Sequence, residues 1–189
     1  TRSGDNGNGN DNANDNANDN ANDSTNFFFM GDSVYNKCMY KHIGDKYGPF
    51  DCAGIGIGAY RPRDFMKSQH VTPLESCYTH QDIKSKFSVG IHWGTFPLAL
   101  EDDIEPAFEL GRARETCGLS HRDICTVDIG ETYYVPSSTS TMEEKMTEQE
   151  QGPSDLATAN PELFQRFLKV CPDGPYGDNS DILKWPFRP

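Results

Sequence analysis

"NFFFMGDS", residues 26–33, decides how the chain is read. Three phenylalanines and Met30 form a dense apolar run, and Gly31-Asp32-Ser33 stops it at once. Short runs of aromatic or β-branched residues bounded by turn formers read as strands. A carboxylate at the mouth of such a strand is costly unless it is paired or bound to a metal. Gly31 lets the backbone turn just ahead of it. Two readings of Asp32 stand at this point: an acid capping the turn that follows, or a metal ligand at the end of a buried strand.

Two further runs have the same character. Residues 50–60 (FDCAGIGIGAY) alternate isoleucine with glycine at Ile55, Gly56, Ile57 and Gly58. Glycines inside a strand point to close approach by other backbone or by a ligand, or simply to tight sheet packing. Residues 87–96 (FSVGIHWGTF) deliver His92 at the end of an apolar strand, with Trp93-Gly94 behind it. A lone histidine near a core is commonly a hydrogen-bonded structural residue. An acid and an imidazole at two strand ends of one sheet are also the pattern of a zinc or iron site at its edge, although such a site needs at least three protein donors. Gln69-His70 lies in the connection between the second and third strands, where it can face the same edge. His42, His80 and His121 read as surface or helix-face residues.

Helix signals fall between these runs. Thr72-Pro73-Leu74-Glu75 is a capping box with proline at the first helical position. It predicts a helix to about residue 86, with Leu74, Cys77, Tyr78 and Ile83 available to face the sheet. A second helix is expected over 105–117 (EPAFELGRARETC), ending before Gly118, and a strand over 124–135 with a turn at Gly130. Asn160-Pro161-Glu162 opens a last short helix, ELFQRFLKV, whose apolar face carries Leu163, Phe164, Phe167, Leu168 and Val170. Strand, connection, strand, helix, strand is α/β in character.

Composition sets the boundaries. Residues 1–26 are almost wholly Asn, Asp, Gly, Ala and Ser, so nothing offsets the entropy of ordering them, and they read as a disordered low-complexity tract. Residues 27–135 form the packed domain, 136–160 a polar linker or loop, and 161–189 a short helix and a tail in which Trp185-Pro186-Phe187 packs back on the domain. The net charge is −12, and the lack of a basic stripe disfavours electrostatic nucleic-acid binding. Six cysteines without a CxxC pair read as reduced thiols of an intracellular protein, cytoplasmic or peripheral to a membrane. No G-x-S-x-G elbow and no G-x-G-x-x-G fingerprint occurs.

The order of these motifs resembles a known family. FFFMGDS (27–33), YGPFDCAGIGIGAYRPRDFMKSQHVTPLES (47–76) and FSVGIHWGTFPLALED (87–102) follow the C-terminal half of N-acylphosphatidylethanolamine-hydrolysing phospholipase D, a branch of the metallo-β-lactamase superfamily. The resemblance covers about residues 27–135. It implies the C-terminal half of a four-layer αββα sandwich with a two-zinc centre. Asp32 is then the carboxylate bridging both metals, His92 a ligand to one, and Gln69 and His70 supporting or substrate-lining residues; no further catalytic residue is assigned. Zinc makes hydroxide available at neutral pH for attack on phosphorus, giving an N-acylethanolamine and phosphatidic acid. The implied partners are the phospholipid, through transient contact with a membrane surface, and the missing N-terminal half.

The departures are as informative. The family's H-x-H-x-D-H signature is absent, and all five histidines lie after Asp32. The chain by itself is therefore expected neither to hold two zincs nor to hydrolyse the lipid. The other expectations are a hydrolase of the same superfamily acting on another phosphoester or a lactone, and a non-catalytic fragment or pseudoenzyme.

Overall fold

The computed structural model describes residues 25–133, 135 and 155–170. The expected disordered tract (all but its last two residues), most of the expected linker, Cys171, the Trp185-Pro186-Phe187 tail and the side chains of Phe167 and Val170 lie outside the described residues.

Four strands, β1 (Phe27–Phe29), β2 (Cys52–Gly56), β3 (Ser88–Ile91) and β4 (Ile124–Cys125), form one sheet in the order β1-β2-β3-β4, every pair parallel. Parallel neighbours require crossover connections, and helices supply them. α1 (Lys37–Tyr47) joins β1 to β2, α2 (Arg63–Met66) and α3 (Pro73–Asp82) join β2 to β3, and α4 (Glu105–Cys117) joins β3 to β4. Strands laid down in sequence order by crossovers of one hand put their helices on one face of the sheet. On that face Phe28, Ala53, Ile55 and Ile124 meet Tyr40, Cys77, Ile83, Leu110 and Ala113. The chain is α/β, as its sequence indicates.

The capping box forms as expected: Thr72 Oγ1 accepts from Glu75 N, and Glu75 accepts from Thr72 N. α3 stops short of residue 86, because Lys84 adopts φ +58 and the chain turns back so that Lys86 N donates to Phe50 O. Cys77 and Ile83 are buried, but Tyr78 turns away from the sheet and packs on Tyr35. α4 occupies the expected span and ends at Gly118, φ +67, a left-handed cap that favours glycine. The run 50–60 contributes only five strand residues, and the described residues of 124–135 only two. His80 is not a surface residue. It is buried, with Nδ1 2.9 Å from Ser88 Oγ, and burial pushes its pKa down.

Three elements have no counterpart in the sequence reading: α1, α2 and a short helix within the expected linker. α1 is capped by Asn36, whose side chain accepts from Met39 N at 3.1 Å. Within the expected linker, α5 (Leu156–Ala159) packs on α4, and α6 (Pro161–Val170) follows it. Phe164 stacks on Phe108 at 6.1 Å, so α4 is covered on its outer side as well.

The other sheet face is open at β1. Phe27 and Phe29 are 57% and 65% exposed, and Phe29 lies over Gly54 of β2. β1 was read as a buried core strand; it is an edge strand, covered only on the side of Phe28. Parallel sheets are ordinarily covered on both faces.

A candidate metal edge

The C-terminal ends of β1, β2 and β3 converge, as ligand sites do in open parallel sheets. Asp32 follows β1 and His92 follows β3, on either side of β2. β2 continues past its last ladder residue with Ile57 N donating to Ile91 O at 2.9 Å. Gly58 then runs so close to the His92 backbone that a Cβ there would overlap the His92 carbonyl oxygen. The close backbone approach suggested by the alternating glycines is real at this position. Both flanking loops turn sharply: Gly31 has φ +67, and His92 itself sits at φ +64, a strained conformation for a residue with a side chain. Trp93 Nε1 donates to Gly90 O at 3.0 Å and pins the His92 turn.

His70 completes the edge from the connection ahead of α3. Its backbone N donates to Met66 O, and Arg63 Nη1 donates to its carbonyl at 2.8 Å. Arg63 in turn holds Glu75 with two contacts of 2.7 Å, so the residues that cap α3 also fix the loop carrying His70. His70 Nε2 lies 2.8 Å from Asp32 Oδ1, and His92 Nε2 4.0 Å from Asp32 Oδ2. The two imidazoles are 5.2 Å apart between ring centroids. One donor atom from each of Asp32, His70 and His92 falls within 4.8 Å of the others. Gln69, next to His70, is exposed.

Two imidazoles and a carboxylate are the donor types that zinc takes at roughly 2 Å. The three side chains fit one ion with open positions; a second ion needs donors from elsewhere. Sequence reasoning placed His70 beside the site, whereas the structure sets it at the centre, against Asp32. The nearest signal was the capping box two residues later, which fixes where the loop must end.

A small, open cleft of about 20 Å³ lies beside His92, lined in part by Trp93, Phe96, Leu98 and Pro106. Phe96, Leu98 and Leu100 are exposed on this loop. Glu101 anchors it by accepting from the backbone N–H groups of Tyr60 and Arg61 at 3.1 and 3.0 Å. Beneath lies a buried ionic network that no sequence motif announced. Glu105 pairs with Arg61 Nε at 2.8 Å and accepts from the Tyr60 hydroxyl at 2.8 Å.

Glu109, one turn on, is 3.6 Å from Arg112, and burial pushes its carboxyl up to about 7 against the pull of that arginine. A folded-state value above the unfolded one means that the native state binds the extra proton. This contribution is present in acid and is lost as pH rises through about 7. Glu109→Gln is expected to remove the slope and to be more stable than wild type at pH 8 by on the order of 3 kcal/mol, the two converging near pH 4.5. Thermal unfolding across that range checks it; parallel curves would refute the assignment.

Among the described residues, no helix is long and apolar enough to cross a membrane. Residues 20–93 match the beta-lactamase superfamily domain model. N-acyl-phosphatidylethanolamine-hydrolyzing phospholipase D 1 of Caenorhabditis elegans is 45% identical over 111 residues, 57% of this chain and 31% of the relative. The mitochondrial N-acyl-phosphatidylethanolamine-hydrolyzing phospholipase D of Saccharomyces cerevisiae is 31% identical over 106 residues, 56% of this chain and 22% of its own length. An uncharacterized protein of Mycobacterium tuberculosis is 37% identical over 91 residues, 47% of this chain and 24% of the relative. The chain spans less than a third of the length of these curated relatives. Residues 20–93 are similar to the beta-lactamase superfamily domain, and the chain is similar to part of the N-acylphosphatidylethanolamine-hydrolysing phospholipases D.

Proposed function

We propose that this chain supplies one edge of a zinc-dependent phosphodiesterase that hydrolyses N-acylphosphatidylethanolamine to N-acylethanolamine and phosphatidic acid, the rest of the site coming from a preceding sheet that this sequence does not include. The observation that carries the reading is the Asp32–His70–His92 convergence, in a chain that is 45% identical over 111 residues to the worm phospholipase. Asp32 and His92 are the metal-holding residues of this edge. His70, with Nε2 2.8 Å from Asp32 Oδ1, holds the carboxylate in place and offers a third donor. Zinc supplies a nucleophile at neutral pH and neutralises phosphodiester charge. The cleft beside His92, rimmed by Phe96 and Leu98, gives the acyl part of the substrate an apolar wall. The open face at β1 supports the need for a partner: Phe27 and Phe29 present a surface on which a second sheet can pack.

Product release from the lipid, with zinc content measured in parallel, tests the proposal on two samples. The 189-residue chain alone is expected to give no N-acylethanolamine and less than two zincs per chain. Co-expressed with the preceding portion of the worm relative, it is expected to form a zinc-dependent hydrolase that Asp32→Ala inactivates. Phe27→Asp with Phe29→Asp should stop the two parts co-purifying. Turnover by the chain alone, or an assembled, zinc-loaded pair inert toward this lipid, refutes the proposal.

A further inference from the structure

His70 is held in an unusual way for a histidine at a metal edge. Such a ring is ordinarily oriented through its second nitrogen, which donates to a carboxylate, a carbonyl or water. His70 turns Nε2 to Asp32 at 2.8 Å, but its Nδ1 is buried and has no hydrogen-bond partner among the described residues. The ring therefore takes its place from the backbone that carries it.

That backbone is lightly tied. After α2 ends, Lys67, Ser68 and Gln69 are exposed, and Gln69 N and His70 N both donate to Met66 O at 2.9 Å. The chain becomes buried again at Val71 and Thr72. One side chain spans this turn. Arg63 opens α2, and its Nη1 reaches forward to donate to the His70 carbonyl at 2.8 Å. Its Nη2 lies 2.7 Å from both carboxylate oxygens of Glu75. Glu75 also accepts from Thr72 N at 2.8 Å, so Arg63, the His70 carbonyl and the first turn of α3 form one unit. A guanidinium suits the position, because its rigid planar fork serves separate acceptors at once, whereas an ammonium is a single point charge.

We propose that Arg63 is a positioning residue for the metal edge: by bridging the His70 carbonyl to Glu75 it sets the imidazole against Asp32, in place of a hydrogen bond at Nδ1. The assignment concerns where the ring stands, so it is read from His70 itself. Its consequence for turnover rests on the function proposed above; the position of the ring does not.

Diethyl pyrocarbonate modifies accessible, unprotonated imidazoles, and peptide mapping by mass spectrometry gives a rate for each histidine. On the 189-residue chain, slightly above neutral pH, exposed His42 sets the fast limit. His80, buried on α3 against Ser88, sets the slow one and reports any loosening of that helix. In Arg63→Met, His70 should be modified about tenfold faster or more, the shift in a local equilibrium that losing a charged hydrogen bond brings. His42 and His80 should keep their wild-type rates. Arg63→Lys, which keeps the charge but not the fork, should lie between the two. Should Arg63→Met fail to fold, Arg63→Lys carries the same comparison. In the complemented enzyme, Arg63→Met should lower turnover about 10–100-fold, the usual cost of losing a group that orients a metal-site residue. An unchanged His70 rate overturns the proposal. Acceleration of His70 and His80 together overturns it as well, because Arg63 would then stabilise the fold and not the ring. A wild-type assembly inert toward the lipid refutes the proposed function and leaves the labelling rates to decide the role of Arg63.

Discussion

Replacing Asp155 with alanine is expected to unfold the domain, or to cost about 3–5 kcal/mol where folding survives. The side chain is 0% exposed and lies in a stretch whose composition suggests only a solvated loop. Its carboxylate takes both ends of the Arg114 guanidinium, at 2.8 and 2.6 Å. It also accepts from Thr126 N at 3.1 Å and from Thr158 N and Oγ1 at 3.0 and 2.7 Å. Arg114 spends a further contact on the Ile124 carbonyl at 3.0 Å, so one ion pair joins α4, β4 and α5. Alanine leaves the guanidinium, 7% exposed, without its counter-charge, which is the costly way to break a buried pair. Removing both charges costs less, so Arg114→Met with Asp155→Leu should recover much of the loss. Burial alone would raise the Asp155 pKa, but the Arg114 and Thr158 contacts outweigh it and hold the carboxyl below its usual value. Its stabilising effect is accordingly complete above the unfolded carboxylate range and fades as pH falls through the folded value. Urea denaturation of the three proteins provides the measurement. A loss for Asp155→Ala of less than about 1 kcal/mol would contradict the role given to the pair.

The features legible in the sequence were those written in adjacent residues. Thr72-Pro73-Leu74-Glu75 spells its capping box within four positions, and Gly118 marks the left-handed end of α4. Asp32 and His92 were visible because each interrupts an apolar run where a strand has to end. α1 was not, because its fully buried positions are Tyr40 and Gly44, with Ile43 partly buried beside them, and Gly44 is there to let the helix approach the Asp82 carbonyl. Glycine gives no apolar signal, so periodicity passed over it. The Arg114–Asp155 pair spans 41 residues and no local pattern connects its halves. Phe27, Phe28 and Phe29 look alike in sequence, yet strand alternation sends only Phe28 into the helical layer. His70 needed the Arg63–Glu75 clamp to be seen in place, and that clamp is tertiary.

Gly58→Ala should abolish activity more completely than its single methyl group suggests. The added Cβ would overlap the His92 carbonyl oxygen and stand 3.3 Å from Trp93 Cα. Both neighbours are backbone and cannot rotate aside, so the end of β3 has to move, carrying His92 away from Asp32. His92 is already held at φ +64 and has little freedom to compensate. A displacement of about an ångström at a reacting centre costs on the order of 10²-fold in rate. Turnover of the complemented enzyme should therefore fall by at least about that factor. Gly111→Ala is the control. Its Cβ meets the Ala157 methyl at 2.8 Å and the Phe164 ring at 3.0 Å, on the outer side of α4. Those are side chains of α5 and α6, so the variant should lose stability and keep its turnover per folded molecule. The contrast separates damage to the edge from damage to the fold. Equal turnover in Gly58→Ala and wild type would mean that the approach of Gly58 to His92 does not position the histidine for chemistry. A matched loss in both variants would mean that the effect travels through stability and not through His92.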